Sequence, residues 1–184
     1  MARTWELWGN VIIAGTFALP VAALAIFLLS RHRTRAHHPA PLRTSIADVG
    51  IVVGTAPWIW MILTPAQGLP GVNLIPFADL SDLPAAGWEA ASVQVGGNLL
   101  VFAALGALLP LRSRAMSSTA RVAAVAAAFS VLVEVLQYGL RLGRFSSVDD
   151  VLLNTAGAAI FALVTRRWWA REHSGPDRST VTAR

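Results

Sequence analysis

Five stretches of this chain are apolar for long enough to cross, or nearly cross, a bilayer, and that leaves very few folds open. They run over about 8–30, 46–64, 93–111, 121–140 and 148–166. A hydrocarbon core needs about 20 residues of α-helix to span it. It also holds no water to satisfy exposed backbone groups, so such segments cross as helices. The expected fold is an all-α membrane protein, a bundle of about five transmembrane helices. The composition agrees: 55% of the 184 residues are hydrophobic, 14% are charged, and mean hydropathy is +0.56. The first segment is too long for a signal-peptide core and ends in an Arg-rich stretch that reads as stop-transfer.

All fifteen basic residues are arginine, and their placement predicts an orientation. Twelve fall on one set of alternate loops: Arg31, Arg33, Arg35, Arg43, Arg112, Arg114, Arg121, Arg166, Arg167, Arg171, Arg178 and Arg184. The other set holds only Arg3, Arg141 and Arg144. Cytoplasmic loops carry the excess of positive charge, so the N-terminus is expected outside and the C-terminus inside. The net charge of +5 is thus explained by topology and anionic headgroups, without a nucleic-acid partner. The expected location is the plasma membrane, crossed several times. With no cysteine, neither a disulfide nor a thiolate metal site can form. His32, His37 and His38 lie in an Arg-rich loop without carboxylates, which reads as solvated loop, so no metal is expected. The 65–92 loop holds four prolines and three glycines, which excludes a long helix and favours short amphipathic pieces on the outer surface. From His173 onward the tail has no apolar period and reads as disordered.

Polar side chains at membrane depth are concentrated between Glu134 and Gly157. An ionisable group at the centre of a span costs roughly 2.5–3.5 kcal/mol by insertion scales, so it faces a partner or a cavity. Glu134 falls about 10 Å below the end of its span, Asn154 about 9 Å and Asn98 about 8 Å below theirs. Glu134, Gln137 and Arg141 are spaced i, i+3, i+7 and are expected on one face; Asp150, Asn154 and Gly157 repeat the spacing. The glycine leaves room for a close neighbour, as do Gly50 and Gly54. These faces are expected to meet across a small cavity open to the outside.

Two readings of that constellation stand side by side. Asn98, Gln137 and Asn154 could be interhelical hydrogen bonds, worth about 0.6 kcal/mol each on average in membranes. Asp149 or Asp150 could cap the last helix. Alternatively Asn73, Asn98, Glu134, Gln137, Arg141, Arg144, Asp149, Asp150 and Asn154 form a binding site. In that case arginine takes a phosphate or carboxylate, and the acids take hydroxyls or amines. Glu134 with Asp149 or Asp150 could also work as an acid–base pair. Neither a nucleophile elbow, nor a P-loop, nor a zinc-protease motif is present, and Ser146 and Ser147 read as turn residues. The balance leans away from an enzyme, and no cofactor is expected. Arg144 precedes Asp149 by five residues, so a short turn could bring its guanidinium onto either aspartate.

At these residues the chain resembles the VanZ-like family of bacterial membrane proteins. Asn73-Leu-Ile-Pro76-Phe77 is similar to its N-x-x-P-F, and Gly97-Asn98 with Phe102 and Gly106 to its G-N-x-x-x-F-x-x-x-G. Glu134-x-x-Gln137 is similar to its E-x-x-Q, and Arg144 through Asp149-Asp150, Asn154 and Gly157 to its R-x-x-x-x-D-D-x-x-x-N-x-x-G. Ala104 stands where a proline is usual, and Ser147 where an acid is common. The resemblance covers about 46–166. It implies a VanZ-like domain there, preceded by an extra N-terminal helix and basic loop (1–45) and followed by a cytoplasmic tail (167–184). The family is linked to low-level resistance to the lipoglycopeptide teicoplanin at the cell surface. The expectation is therefore a protein that binds or modifies an amphiphilic envelope molecule. Its partners would be membrane lipids and a lipid-linked wall precursor or amphiphilic glycopeptide. The alternative is an intramembrane enzyme acting on a glycan or phosphodiester. A small transporter fits less well, because no repeat or broken helix is visible.

Overall fold

Seven α-helices account for most of the chain, joined by short turns and one elaborate loop. The structure, a computed structural model, describes residues 2–68 and 71–169. The tail read above as disordered lies outside the described residues from 170 on. The helices are α1 (Ala2–Arg35), α2 (Pro41–Leu63), α3 (Ala78–Ala86), α4 (Trp88–Val101), α5 (Ala103–Arg112), α6 (Thr119–Gly139) and α7 (Val148–Val164). Among the described residues three helical stretches are long and apolar enough to cross a membrane: Pro41–Leu63, Trp88–Arg112 and Thr119–Gly139. The chain is thus a helical membrane protein.

The helix limits follow local chemistry. Pro41 opens α2, where its missing N–H costs nothing because the first-turn donors have no helical partner. The third apolar segment is one stretch with an interruption at Phe102, whose backbone leaves helical geometry (φ −110°, ψ 19°) between α4 and α5. Phe102 itself is buried, in a core with Val101, Leu105, Val122, Ala126, Ala158 and Ala162. Small residues let the backbones approach. A methyl group on Gly54 would strike Ala104, one on Gly106 the backbone of Ala158, and one on Gly157 the carbonyl of Leu99. Glycine and alanine contacts of this kind substitute for the hydrophobic drive that lipid-embedded helices lack.

At one end of the bundle Asp48 ties three helices together. Its carboxylate accepts from Arg33 Nη2 (2.5 Å) on α1 and from Arg112 Nε (2.6 Å) on α5. Arg33 also donates to Ser45. The carboxylate is about one-third exposed, between the regime of a surface pair (about 0–1 kcal/mol) and a buried one (about 3–5 kcal/mol). Asp48→Ala is therefore expected to cost about 1–3 kcal/mol, lowering the thermal midpoint in detergent. An unchanged midpoint would show that the two arginines are already satisfied by solvent.

The opposite end carries the loop between α2 and α4, which folds onto the α6–α7 turn. Ala66 N–H donates to Leu142 O (2.8 Å) and Gly68 N–H to Gly143 O (3.0 Å). Two three-residue strands, β1 (Gly71–Asn73) and β2 (Phe145–Ser147), then pair in parallel with Asn73 opposite Ser147. The loop is thus an ordered cover containing the single short helix α3, in place of separate surface pieces.

Candidate functional site

Beneath that cover lies a cavity of about 710 Å³ walled by α2, α3, α4, α6, α7 and the α6–α7 turn. Its lining includes Asp79, Gln94, Asn98, Glu134, Gln137, Arg144, Ser147, Asp149, Asp150 and Asn154. Asn98, Glu134 and Asn154, expected at similar depth on three helices, meet here. Four carboxylates face one guanidinium, so the wall is predominantly acidic.

The four acids divide by what their oxygens already hold. Asp149 is 1% exposed and accepts from Phe77 N–H at Oδ1 (2.5 Å) and from Leu80 N–H at Oδ2 (3.1 Å). It caps α3, whose first-turn N–H groups have no helical partner. Asp79 is likewise engaged at both oxygens, by Asn73 Nδ2 at Oδ1 (2.6 Å) and by a short bond from Ser147 Oγ at Oδ2. Ser147 in turn caps α7, accepting from Asp149 N–H (3.1 Å). The β1–β2 register makes this relay possible by setting Asn73 beside Ser147.

Glu134 and Asp150 are only half engaged. Glu134 Oε2 accepts from Ser147 N–H (3.1 Å), and Asp150 Oδ1 accepts from Gln94 Nε2 (2.8 Å) and Asn98 Nδ2 (2.6 Å). Among the described residues nothing donates to Asp150 Oδ2, while the Ser146 hydroxyl also meets the Glu134 carboxyl. Below them, Asn154 donates to Ser130 Oγ (2.8 Å) and leaves its buried Oδ1 without a partner. Gln137 Nε2 reaches across to Ile62 O (3.1 Å) and pins α6 to α2.

The arginines depart from the expected arrangement. Arg144 does not fold back onto Asp149 or Asp150. Its Nε and Nη2 donate to Thr64 O (3.1 Å) and Met61 O (3.0 Å) at the C-terminus of α2, the latter shared with Thr64 N–H. The expected Arg144–aspartate pair is thus replaced by a helix cap. Arg141 is exposed and does not line the cavity, because α6 ends at Gly139 and Arg141 turns into the left-handed region (φ 53°). The i, i+7 argument assumed a helix that stops two residues too soon. Asn73 also stands behind the wall, bracing Asp79 and closing a turn on Ile75 N–H (3.0 Å).

Three lining residues were not anticipated: Asp79, Gln94 and Ser147. Gln94 precedes Asn98 by four residues, a helical spacing that marks them as neighbours on one face. For Asp79, half-buried in α3 within a proline-rich segment, the sequence carries no comparable signal.

An acidic cavity with two half-free carboxylates can accept hydrogen bonds from hydroxyls or ammonium groups, or pass protons between two acids. Beside it, between α2, the α4–α5 break and α6, runs an apolar groove of about 860 Å³ lined by residues including Thr55, Ile59, Trp60, Phe102, Leu132 and Val133. Neighbouring residues split between the two spaces. Trp58, Val101 and Glu134 face the polar cavity, while Ile59, Phe102 and Val133 face the groove.

Among curated proteins and solved structures, none matches this chain. The VanZ/LLP1 family model matches residues 16–169, a span that takes in every element of the cavity, and the chain belongs to that family.

Proposed function

We propose that the protein binds or modifies an amphiphilic envelope molecule, with the polar group in the acidic cavity and apolar chains along the adjoining groove. The observation that carries this reading is the shared wall: α6 turns Glu134 and Gln137 to the cavity and Leu132, Val133 and Leu136 to the groove, and α2 lines both spaces. Candidate ligands are a lipid, a lipid-linked wall precursor or a lipoglycopeptide such as teicoplanin, and sequestering the last would contribute to resistance. In this reading the bundle sits in the plasma membrane with five spans, the first being α1 and the last α7. The N-terminus is outside, and the cavity opens at outer-leaflet depth.

A second reading rests on one specific feature, the two half-free carboxylates. Glu134 and Asp150 could then act as an acid–base pair on a glycan or phosphodiester. Glu134→Gln separates the two. An enzyme loses turnover, whereas a binder keeps part of its occupancy because glutamine still accepts from Ser147 N–H.

Gly97 offers the direct test of occupancy. It lines the cavity, and a Cβ built there meets nothing within 4 Å. Gly97→Leu is thus expected to fold normally while filling space that a ligand needs. Native mass spectrometry of gently extracted protein should show co-purifying amphiphile masses that fall about tenfold or more in the variant, as for a lost binding increment of about 1.4 kcal/mol. Equal amphiphile retention by both proteins would sink the proposal.

A further inference from the structure

Resting on that reading, we infer that the group taken by the cavity is a primary ammonium: the ligand is an amphiphile whose headgroup ends in an amine. Three acceptor groups with capacity to spare carry this. Asp150 Oδ2 receives no hydrogen bond among the described residues, Asn154 Oδ1 is buried, on a residue 2% exposed, and unpartnered, and the Glu134 carboxyl holds only the Ser147 N–H and the Ser146 hydroxyl. All three residues line one cavity. Asp150 and Asn154 are four apart on α7, which sets them on the same face.

A buried amide oxygen without a partner costs about 1–3 kcal/mol, so a ligand donor placed there recovers energy that the protein alone forfeits. A primary ammonium carries three donors and a positive charge, which matches three acceptors of which two are anionic. Each polar donor along the wall already makes a bond to the protein. Asn98 and Gln94 donate to Asp150, Asn73 to Asp79, and Gln137 to Ile62 O. Arg144 gives its Nε and Nη2 to α2 carbonyls. An anionic headgroup therefore meets four carboxylates and few free donors. A quaternary ammonium has the charge but no N–H to give. Among the described residues no three carboxylates or histidines converge closely enough to hold a metal ion. The cation that fits is one that brings its own donors.

The test compares three phospholipids with identical acyl chains, titrated onto the purified full-length protein and read by native mass spectrometry. Phosphatidylethanolamine supplies the primary ammonium, phosphatidylcholine its fully methylated form, and phosphatidylglycerol an anionic headgroup. The expected result is that phosphatidylethanolamine is retained about tenfold more strongly than the other two, the scale of one charge-assisted hydrogen bond. In Glu134→Gln and in Asp150→Asn that preference should shrink about tenfold, with retention of phosphatidylglycerol not falling. Equal retention of all three lipids by the unaltered protein overturns the ammonium site, while amphiphile binding stands. So does a preference that survives both substitutions. If the unaltered protein retains none of the three, and no co-purifying amphiphile either, both inferences fall together. The comparison on the unaltered protein needs no variant to fold.

Discussion

Asp149→Ala is expected to cost about 2–5 kcal/mol of stability, whereas Asp150→Ala, one residue on, costs about 1 kcal/mol or less. The two aspartates are adjacent and both touch the cavity, yet they are held differently. Asp149 is almost wholly buried, and each of its oxygens accepts a backbone N–H, from Phe77 and from Leu80. Alanine leaves without an acceptor two backbone donors that cannot turn away as side chains do, at about 1–3 kcal/mol for each one left unpaired. Phe77 also has a positive φ (66°), a conformation that bulky residues adopt only when their surroundings enforce it. Removing the acceptor of its N–H removes part of that enforcement. Asp150 accepts from side chains, Gln94 and Asn98, which can turn to cavity water when it is gone. Thermal unfolding in detergent would measure the difference, and hydrogen exchange would localise it. Asp149→Ala should raise exchange mainly over residues 74–86, where α3 loses its anchor. Similar midpoints for the two variants would contradict the assignment of Asp149 to structure. Binding should run the other way, with Asp150→Asn losing ligand at little cost in stability.

This contrast shows what the letters could and could not carry. The apolar segments were legible because a bilayer imposes a length, and among the described residues Pro41–Leu63, Trp88–Arg112 and Thr119–Gly139 meet it. The meeting of Asn98, Glu134 and Asn154 was legible for the same reason. A polar side chain at a known depth on each of three packed helices has few places to go. The α4–α5 break was not, since an apolar stretch stays apolar whether or not its backbone unwinds at Phe102. The different roles of Asp149 and Asp150 also escaped, because adjacent identical letters differ only in which helix each one faces. Arg144 was misassigned because its partners are the carbonyls of Met61 and Thr64. Every residue has a carbonyl, so the sequence does not advertise which are left open until a helix end is placed. The pairing of Gly71–Asn73 with Phe145–Ser147 joins two three-residue pieces far apart in the chain. Such pieces are too short to show a period of two. The cover over the cavity, including Asp79, was therefore the least readable part of the site.

Gly157→Ala is expected to destabilise the protein by about 1–3 kcal/mol although it adds only one methyl group. In an isolated helix the same change would stabilise by up to about 1 kcal/mol, because alanine is the better helix former. The sign reverses here because a Cβ on Gly157 presses on the backbone carbonyl of Leu99, in α4. A side chain in that position could rotate away, but a backbone carbonyl cannot do so without moving the helix, so α4 and α7 must separate. Gly106 makes the reciprocal approach from α5 to the backbone of Ala158, which leaves α7 little freedom to slide aside. The consequence reaches the site, since Asn98 on α4 donates to Asp150 on α7 at 2.6 Å, and that bond weakens as the helices part. Gly157→Ala should thus lose both stability and ligand, unlike Gly97→Leu, which should lose ligand alone. Gly96→Ala is the control: it lies in the same helix as Leu99, and a Cβ there meets nothing within 4 Å. Thermal midpoints of Gly157→Ala and Gly96→Ala should differ by several degrees, with the control at or above the unaltered protein. If the two variants unfold together, the glycine at 157 is not what sets the α4–α7 spacing. The cavity's shape would then have to be attributed to the polar contacts around Asp149 and Asp150 alone.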